Sequence, residues 1–523
     1  MFLKPSLASG AALGALLAIA SPALAQTSID ALQQQIQALK AQQAKDQAAT
    51  QQLQDQLKAL QGQADQVKSA YNPSSGKNGL IQWGGVNLQL GGFTEAAGIF
   101  RSRNEVADVG SDFNNIPFPN NQRNHETELR FSARQSRISG LIYGDIDKET
   151  RVSAYLEADF LGASDVSNAR ESNSFLPRIR HFYTTVDENG WGFHFLAGQE
   201  WSLITTNTSG IMPRSEQIPL TIDAQYVPGF NWTRNPQARF VENFNDVLWV
   251  GLSVESPQAL VGGNNPNGAL FAANQANPNA NNPGDPTGLL SANQNFTTDT
   301  YPDVVAKIAL DPGFGHYELK GIARFFTDRF NTTNNTTVGG GGGAAATIPI
   351  VPKVLELQLS GLAGYGIGRY GSAQINDVSF NPNGSLVATP EIEVLLGLIA
   401  TPFNGTQLYA YAGQEHVTST AQPVGKGLFS GFGSNFDSNA GCNINLSAAT
   451  CTSTAREIDQ VTAGFWQDLY KGNYGRIVVG GQGSYTKKFT FNAGVVNKVG
   501  QGGGGAPNVD EVIVMTSFRY YPF

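Results

Sequence analysis

The sequence has little charge and almost no cysteine. Asp, Glu, Lys and Arg make up 15% of its 523 residues, well below the roughly 25% found in soluble globular domains. The formal net charge of −8 gives no reason to expect a nucleic-acid partner. Two cysteines exclude a disulfide-rich scaffold and a cysteine-rich metal domain. A large soluble enzyme would cover its surface with charge, and this chain does not.

The spacings that accompany common catalytic and metal sites are also missing. The sequence contains no H-E-x-x-H, no G-x-S-x-G and no G-x-x-x-x-G-K-[ST] motif. Its five histidines are scattered along the chain: His125, His181, His194, His316 and His416. We therefore expect a protein that is not an enzyme and that holds no cofactor and no metal.

Long apolar runs are absent as well. Lys4 precedes a short apolar run from Leu7 to Ala20, and Ala23-Leu24-Ala25 forms an A-x-A cleavage site. This pattern predicts a signal peptide over residues 1–25. The alternative, an N-terminal membrane anchor, is disfavoured because a spanning helix needs about 18 apolar residues or more. No other stretch is long enough, so we expect no transmembrane helix in a mature chain that leaves the bacterial cytoplasm.

A coiled coil is predicted over residues 26–71. Apolar residues fill nine of the twelve a and d positions of one heptad frame that runs from Ile29 to Val67. Polar Gln43, Asp46 and Thr50 interrupt the seam at its centre. Such a seam needs other helices to bury it, which favours an oligomer, although a disordered Gln-rich leader is the alternative. Residues 72–79, rich in Asn, Ser, Gly and Pro, form a linker.

From residue 80 to residue 523 the hydrophobic period changes to two. Leu156, Ala158 and Phe160, for example, alternate with Glu157 and Asp159. This alternation predicts half-buried strands, and soluble β-sandwiches share it. The spacing of the connections distinguishes a soluble sandwich from a membrane barrel. Here tight turns alternate with long polar segments, as they do in barrels of bacterial outer membranes. The long segments are 102–126, 162–175, 202–235, 258–300, 417–455 and 488–508. We therefore predict an all-β transmembrane barrel over residues 80–523.

The barrel is predicted to have about sixteen antiparallel strands. Fifteen are evident: 82–101, 127–144, 150–161, 176–187, 191–201, 236–244, 246–256, 301–310, 315–328, 353–370, 390–401, 406–416, 456–468, 474–487 and 510–523. Single-chain bacterial barrels have an even number of strands, and residues 338–351 are the best candidate for the missing one. The chain ends in Phe523 after an alternating strand, which is similar to the C-terminal signal read by the outer-membrane assembly machinery. Pro522 departs from that pattern.

A barrel of this size encloses an aqueous channel. We expect the third long loop, 202–235, to fold inward and narrow the pore. The alternation along the strands places a set of charged side chains in the lumen or at the exit of this loop. The set comprises Arg130, Arg134, Arg137, Arg178, Arg180, Arg234, Arg239, Glu157 and Asp159. Converging arginines would favour small anions such as dicarboxylates. A general or sugar-permeable porin, in which the charges only create a transverse field, is weighed equally. A structural tether or adhesin and a membrane-embedded hydrolase remain alternatives from other classes.

Several short stretches, in this order and spacing, carry a family resemblance. They are Arg134-Gln135-Ser136-Arg137, Tyr155 to Phe160, Arg178-Ile179-Arg180-His181, Gly198 to Ser202, Arg234 to Arg239 and Gly364 to Tyr370. On these the chain resembles the DcaP-type trimeric porins of Gram-negative bacteria. The resemblance implies an outer-membrane homotrimer of sixteen-stranded barrels with periplasmic helices and uptake of small anions. The heptads alone, with Ile at a and Leu at d, would instead favour a coiled coil of two helices.

The two cysteines lie nine positions apart in one predicted loop. Cys442 and Cys451 are therefore expected to form a local disulfide in an oxidising compartment. A free redox pair is the alternative.

Overall fold

The computed structural model describes most of the chain after residue 78. The described residues are 36–38, 40, 41, 51, 79–162, 176–265, 297, 299–330, 333–425, 428–433, 439, 441–445, 451, 454–492 and 505–523. The predicted signal peptide, most of the coiled coil and nearly all of the linker lie outside them. Positions 36–38, 40, 41 and 51 are helical. No helix among the described residues is long and apolar enough to cross a membrane.

The described barrel region is built from strands and three short 3₁₀ turns. The strands are β1 Leu80–Trp83, β2 Val86–Arg101, β3 Glu128–Ser132, β4 Arg137–Asp145, β5 Thr150–Gly162, β6 Leu176–Glu188, β7 Phe193–Trp201, β8 Arg234–Phe244, β9 Leu248–Glu255, β10 Asp303–Leu310, β11 His316–Phe330, β12 Thr333–Val351, β13 Leu355–Tyr365, β14 Val378–Phe380, β15 Leu386–Ala388, β16 Pro390–Phe403, β17 Thr406–Val417, β18 Gln422–Gly425, β19 Leu428–Ser430, β20 Ala455–Gly472, β21 Gly475–Thr490 and β22 Asn508–Tyr521. The 3₁₀ turns are Phe113–Asn115, Gln122–His125 and Gly368–Tyr370.

Eighteen of these strands form one closed antiparallel sheet. The barrel closes where β2 pairs with β22, with Thr94 opposite Tyr520. Strands β1 and β22 both pair with one edge of β2, β1 with its first residues and β22 with its last ones. The first and last strands of the barrel region therefore share one strand position in the wall. Strands β3 and β4 likewise follow one another along the other edge of β2. The eighteen segments therefore occupy sixteen positions, which confirms the predicted strand number.

Three sequence predictions of strand boundaries need correction. The predicted strand 82–101 is a hairpin, because Gly84 has a φ of 59° and turns the chain between β1 and β2. The predicted strand 127–144 is interrupted at 133–136, where the Ser136 hydroxyl accepts a hydrogen bond from the backbone N–H of Glu95. Strand β13 ends at Tyr365, and the chain then turns inward. The predicted strand 338–351 is confirmed and is longer, since β12 begins at Thr333.

Short connections gather at one end of the barrel, called here the turn end, and most long ones at the other, the loop end. One connection at the loop end breaks the predicted rhythm, because only residues 331 and 332 separate β11 from β12. Segment 366–389, which the sequence pattern did not mark as a loop, is long and contains the hairpin β14–β15.

The outer wall is apolar and is bounded by aromatic residues. On β16, Ile392, Val394 and Leu396 are between 41% and 49% exposed, while Glu391 and Glu393, which alternate with them, are buried inside. Exposed aromatic side chains lie at or beside the connections of the turn end: Trp83, Trp191, Phe244, Phe314, Phe403, Tyr470 and Tyr474. An apolar band with an aromatic girdle is typical of strands that face lipid.

Segment 202–233, called here the inner loop, leaves β7 and crosses the lumen to the opposite wall. Its Leu220 carbonyl accepts a hydrogen bond from the Trp466 indole at 2.7 Å, and its Ile222 N–H donates to the Gln482 side chain at 2.6 Å. Trp466 and Gln482 lie within β20 and β21, which stand across the barrel from β7. The prediction that the third long loop folds inward is therefore confirmed.

Buried charges fasten the inner loop to the wall. Lys307 and Lys320 donate to the carbonyls of Thr205 and Ile204, at 2.5 Å and 3.0 Å. On the far side Glu415 accepts the Gly229 N–H at 2.8 Å. A Cβ at position 229 would collide with the wall backbone, and the φ of 88° there also favours glycine. Charged partners on both ends hold the loop in one place.

The remaining long segments cover the loop end. Segment 366–389 packs on the inner loop, where the Tyr370 carbonyl accepts the Trp232 N–H at 2.7 Å. The predicted disulfide between Cys442 and Cys451 is present. Cys442 is buried against Ile116 and Phe118 of segment 102–127, so the bridged segment packs on a second outer segment.

Candidate pore constriction

A cavity of about 220 Å³ lies between the inner loop and the wall formed by β4 to β7. We call it the eyelet. It is lined by Arg137, Tyr155, Glu157, Arg180, His181, Glu200 and Trp201 from the wall, and by Arg214, Glu216, Ile218 and Tyr226 from the inner loop. On β5 the alternation turns Tyr155 and Glu157 inward, and on β6 a bulge opposite Glu157 and Ala158 lets the consecutive Arg180 and His181 both face the lumen. Three arginines and three glutamates thus face a space the size of a small solute.

The wall arginines are held by carboxylates. Arg180 contacts Glu157 at 2.5 Å and Asp159 at 3.1 Å. Arg178 binds the same Asp159 with two nitrogens, at 3.0 Å and 2.8 Å. Arg137 lies 3.7 Å from Glu157. Since two carboxylates are shared among three guanidinium groups, the network keeps an excess of one positive charge and leaves no acid unpaired.

Arg234 adds a cation that no carboxylate contacts within 4.0 Å among the described residues. Its guanidinium stacks over Trp201 at 4.8 Å and over Trp232 at 5.1 Å. Its Nη1 is buried without a hydrogen-bond acceptor in the described part of the chain. Stacking on two indole faces stabilises the charge and fixes the plane of the group.

Arg214 is the exposed cation of the eyelet. It lies on the inner loop with a φ of 68°, and its guanidinium stands 5.6 Å from the centre of the Tyr155 ring. Within the described residues it forms no salt bridge. A guanidinium that is both unpaired and accessible to water is the group most able to attract a passing anion.

The pKa of Tyr226 indicates a positive electrostatic potential on the side of the eyelet where the arginines lie. Burial alone would raise the pKa of the Tyr226 phenol. The nearby Arg180, Arg234 and Arg137 outweigh burial and lower this pKa below its usual range. The phenolate, an anion, is thus stabilised at this place in the protein.

The opposite side of the eyelet carries carboxyl groups. Glu216 pairs through its backbone with Asn207 in a small hairpin of the inner loop, which fixes its direction. Glu200 on β7 accepts a hydrogen bond from, or donates one to, the His181 ring at 2.9 Å, depending on their protonation. One oxygen of each glutamate is buried without a partner in the described region.

The structure brings six of the nine predicted residues together: Arg137, Arg178, Arg180, Arg234, Glu157 and Asp159. Arg130 instead binds Glu128 at 2.5 Å near the loop end, and Arg134 binds Asp108 at 2.6 Å. Arg239 is buried beneath the inner loop, where it donates to Gln237 and to the Trp201 carbonyl. Of the arginines expected to converge, Arg137, Arg178 and Arg180 do so while paired with carboxylates of β5, and Arg234 lies beside them on Trp201.

Sequence reasoning missed several residues of the eyelet. Arg214 and Glu216 lie in a loop, where no alternation indicates which way a side chain points. Trp201 and Trp232 flank the loop and were not marked, although an aromatic residue at each end of a long inward segment is a usable signal. Tyr226, with a φ of 68°, is likewise placed by loop geometry.

The fold is similar to those of known outer-membrane channels. The outer membrane channel DcaP of Acinetobacter baumannii matches with a TM-score of 0.56 and 15% sequence identity, over 83% of this chain and 98% of that one. An anion-selective porin from Comamonas acidovorans matches with a TM-score of 0.44 and 11% identity, over 83% and 99%. No family model and no curated protein sequence matches the chain. The first likeness shows that this chain has a DcaP-like porin fold, as the resemblance in sequence implied.

Proposed function

We propose that this DcaP-like barrel is an outer-membrane porin: a water-filled channel for small hydrophilic solutes that favours small anions such as dicarboxylates. The observation that carries the proposal is the eyelet, where Arg214 and Arg234 are free of carboxylate partners among the described residues. A fixed guanidinium can replace part of the water that an anion gives up in a narrow pore.

The outer wall supports a position in a lipid bilayer. The apolar side chains of β16 and the aromatic ring at the turn end match what strands present to hydrocarbon and to its interface. The predicted signal peptide and the terminal Phe523 support the outer membrane and recognition by its assembly machinery. The periplasmic helix and the homotrimer belong to the same proposal and rest on the heptads and the resemblance.

A general porin is the second candidate, and one observation favours it. Because arginines and glutamates are equal in number around the eyelet, the net charge there is small and the field runs across the pore. In that case neutral sugars would pass as readily as acids of the same size.

Liposome swelling distinguishes the two candidates. Vesicles that contain the purified protein are expected to swell several times faster in a small dicarboxylate than in a neutral sugar of similar mass. The reason is that a guanidinium without a carboxylate partner, close to the path of the solute, raises the partition of an anion severalfold. Protein-free vesicles are the control. Equal rates for both solutes would support the general porin and remove the anion preference, and no swelling would contradict both.

A further inference from the structure

The further inference concerns Glu216, and it rests on the proposed channel function. Glu216 and Ile218 line the eyelet and also a second cavity of about 400 Å³ that opens toward the turn end. That cavity is lined on its far side by Lys353 of the β12–β13 turn, by Glu356 of β13 and by other residues of β12, β13, β16 and β17. Glu216 therefore lies where the two spaces meet, on the path of a solute that passes the inner loop.

The charge of Glu216 decides the net charge of the side chains that line the eyelet. The lining arginines Arg137, Arg180 and Arg214 are matched in number by Glu157, Glu200 and Glu216. With the Glu216 carboxyl protonated the lining has an excess of one positive charge, and with it ionised the excess disappears. Arginine stays charged across the accessible pH range, so only the carboxyl groups, His181 and the Tyr226 phenol can alter this balance.

We propose that Glu216 is a selectivity-determining residue: the eyelet favours anions while the Glu216 carboxyl is protonated and loses most of that preference when it ionises.

The surroundings of Glu216 favour its neutral form. Its Oε1 is buried without a hydrogen-bond partner in the described structure, and Glu200 on the facing strand β7 also keeps an unpartnered oxygen. Two carboxyl groups that share a site do not readily ionise together. The charged and titratable groups that face Glu216 are Glu200 from β7, Arg239 from β8, His181 and Tyr183 from β6, and Lys307 from β10, besides Arg214 of its own loop.

These contacts set the pH at which the change occurs. Burial, and next the charge of Glu200, raise the pKa of Glu216 to about 8, and Arg239 and His181 oppose them only in part. The group is neutral below that pH and negative above it. The anion preference should therefore be highest in acid or neutral solution and should fall as the pH rises through about 8.

The test is the anion-to-cation permeability ratio of single channels in a planar bilayer, measured from about pH 6 to about pH 9.5, on both sides of this midpoint. For the unmodified protein the ratio is expected to fall about three- to tenfold, the effect of one charge at about 6 Å in water. The Glu216→Gln variant is expected to lose the fall near pH 8, so that only a change at lower pH from the facing Glu200 remains. Glu356→Gln, which changes a carboxylate of the second cavity, is the matched control and should retain the fall.

A second variant keeps the inference testable if the Glu216→Gln protein fails to fold. It also tests the role of the facing carboxyl group. Glu200→Gln removes a like charge, so the midpoint of the fall should move to lower pH. A fall near pH 8 that persists in Glu216→Gln, or a ratio that does not vary with pH in the unmodified protein, overturns the inference. Absence of anion preference at low pH would instead contradict the proposed function, so the two failures are distinguishable.

Discussion

Replacing Arg214 by glutamine is expected to remove most of the anion preference of the channel while leaving the barrel intact. Arg214 is exposed at the eyelet, stands over the Tyr155 ring and carries no salt bridge among the described residues. Its loss therefore leaves no acid unpaired. A unit charge at about 6 Å in water contributes about 0.7 kcal/mol, which raises the partition of an anion about threefold and lowers that of a cation as much.

The anion-to-cation permeability ratio of the Arg214→Gln channel should accordingly fall by up to about tenfold at low salt and by less at high salt. Reversal potentials in a salt gradient measure it. Arg130→Gln is the matched control, because Arg130 is bound to Glu128 near the loop end. Equal effects of the two substitutions would show that the overall charge of the lumen, and not the eyelet, governs selectivity.

Neutralising the wall arginines is a poorer experiment. Arg180 is almost fully buried and pairs with both Glu157 and Asp159. Its removal would leave the partly buried Glu157 with only the more distant Arg137 as a guanidinium partner, at 3.7 Å, which is costly for the fold. A change in selectivity of such a variant would not separate pore electrostatics from local rearrangement.

An arginine placed on the outer wall should destabilise the barrel strongly. Leu396 lies at the middle of β16, points outward and is 44% exposed. If this face meets hydrocarbon, Leu396→Arg should lower the free energy of unfolding by about 2–4 kcal/mol. Equilibrium unfolding in urea from lipid vesicles, followed by tryptophan fluorescence, measures the difference.

Gln358→Arg provides the comparison at the same depth. Gln358 on β13 pairs with Gly397, next to Leu396 along β16, but faces the second cavity inside the barrel beside Glu356. An arginine there can reach water and a carboxylate, so its cost should be small. Similar costs at both positions would contradict a lipid-facing outer wall.

Much of the wall could be predicted from sequence because its signal is periodic. The alternation of Leu156 and Ala158 with Glu157 and Asp159 follows from the geometry of a strand with one apolar face, and the structure keeps it. The strand at 338–351 was predicted by parity in spite of its glycines. The interruption at 133–136 was missed, although the apolar positions change there from odd (Leu129, Phe131) to even (Ile138, Ile142), which is the sequence signal of a break in the strand.

The eyelet was predicted only in part, for a physical reason. Strand phase indicates that Arg178 and Arg180 face inward, but their partners depend on the register between β5 and β6, which brings Asp159 opposite Arg178. Loop residues such as Arg214 and Glu216 follow no period at all. Their positions depend on contacts made across the lumen, for example by Leu220 and Gly229 with the far wall.

The reversal potential of the unmodified protein in a planar bilayer, across an about tenfold potassium chloride gradient at about pH 6, tests the central claim most directly. We expect stepwise conductance and a reversal potential displaced toward the equilibrium potential of chloride. A displacement toward that of potassium, or a bilayer that stays silent, would contradict it.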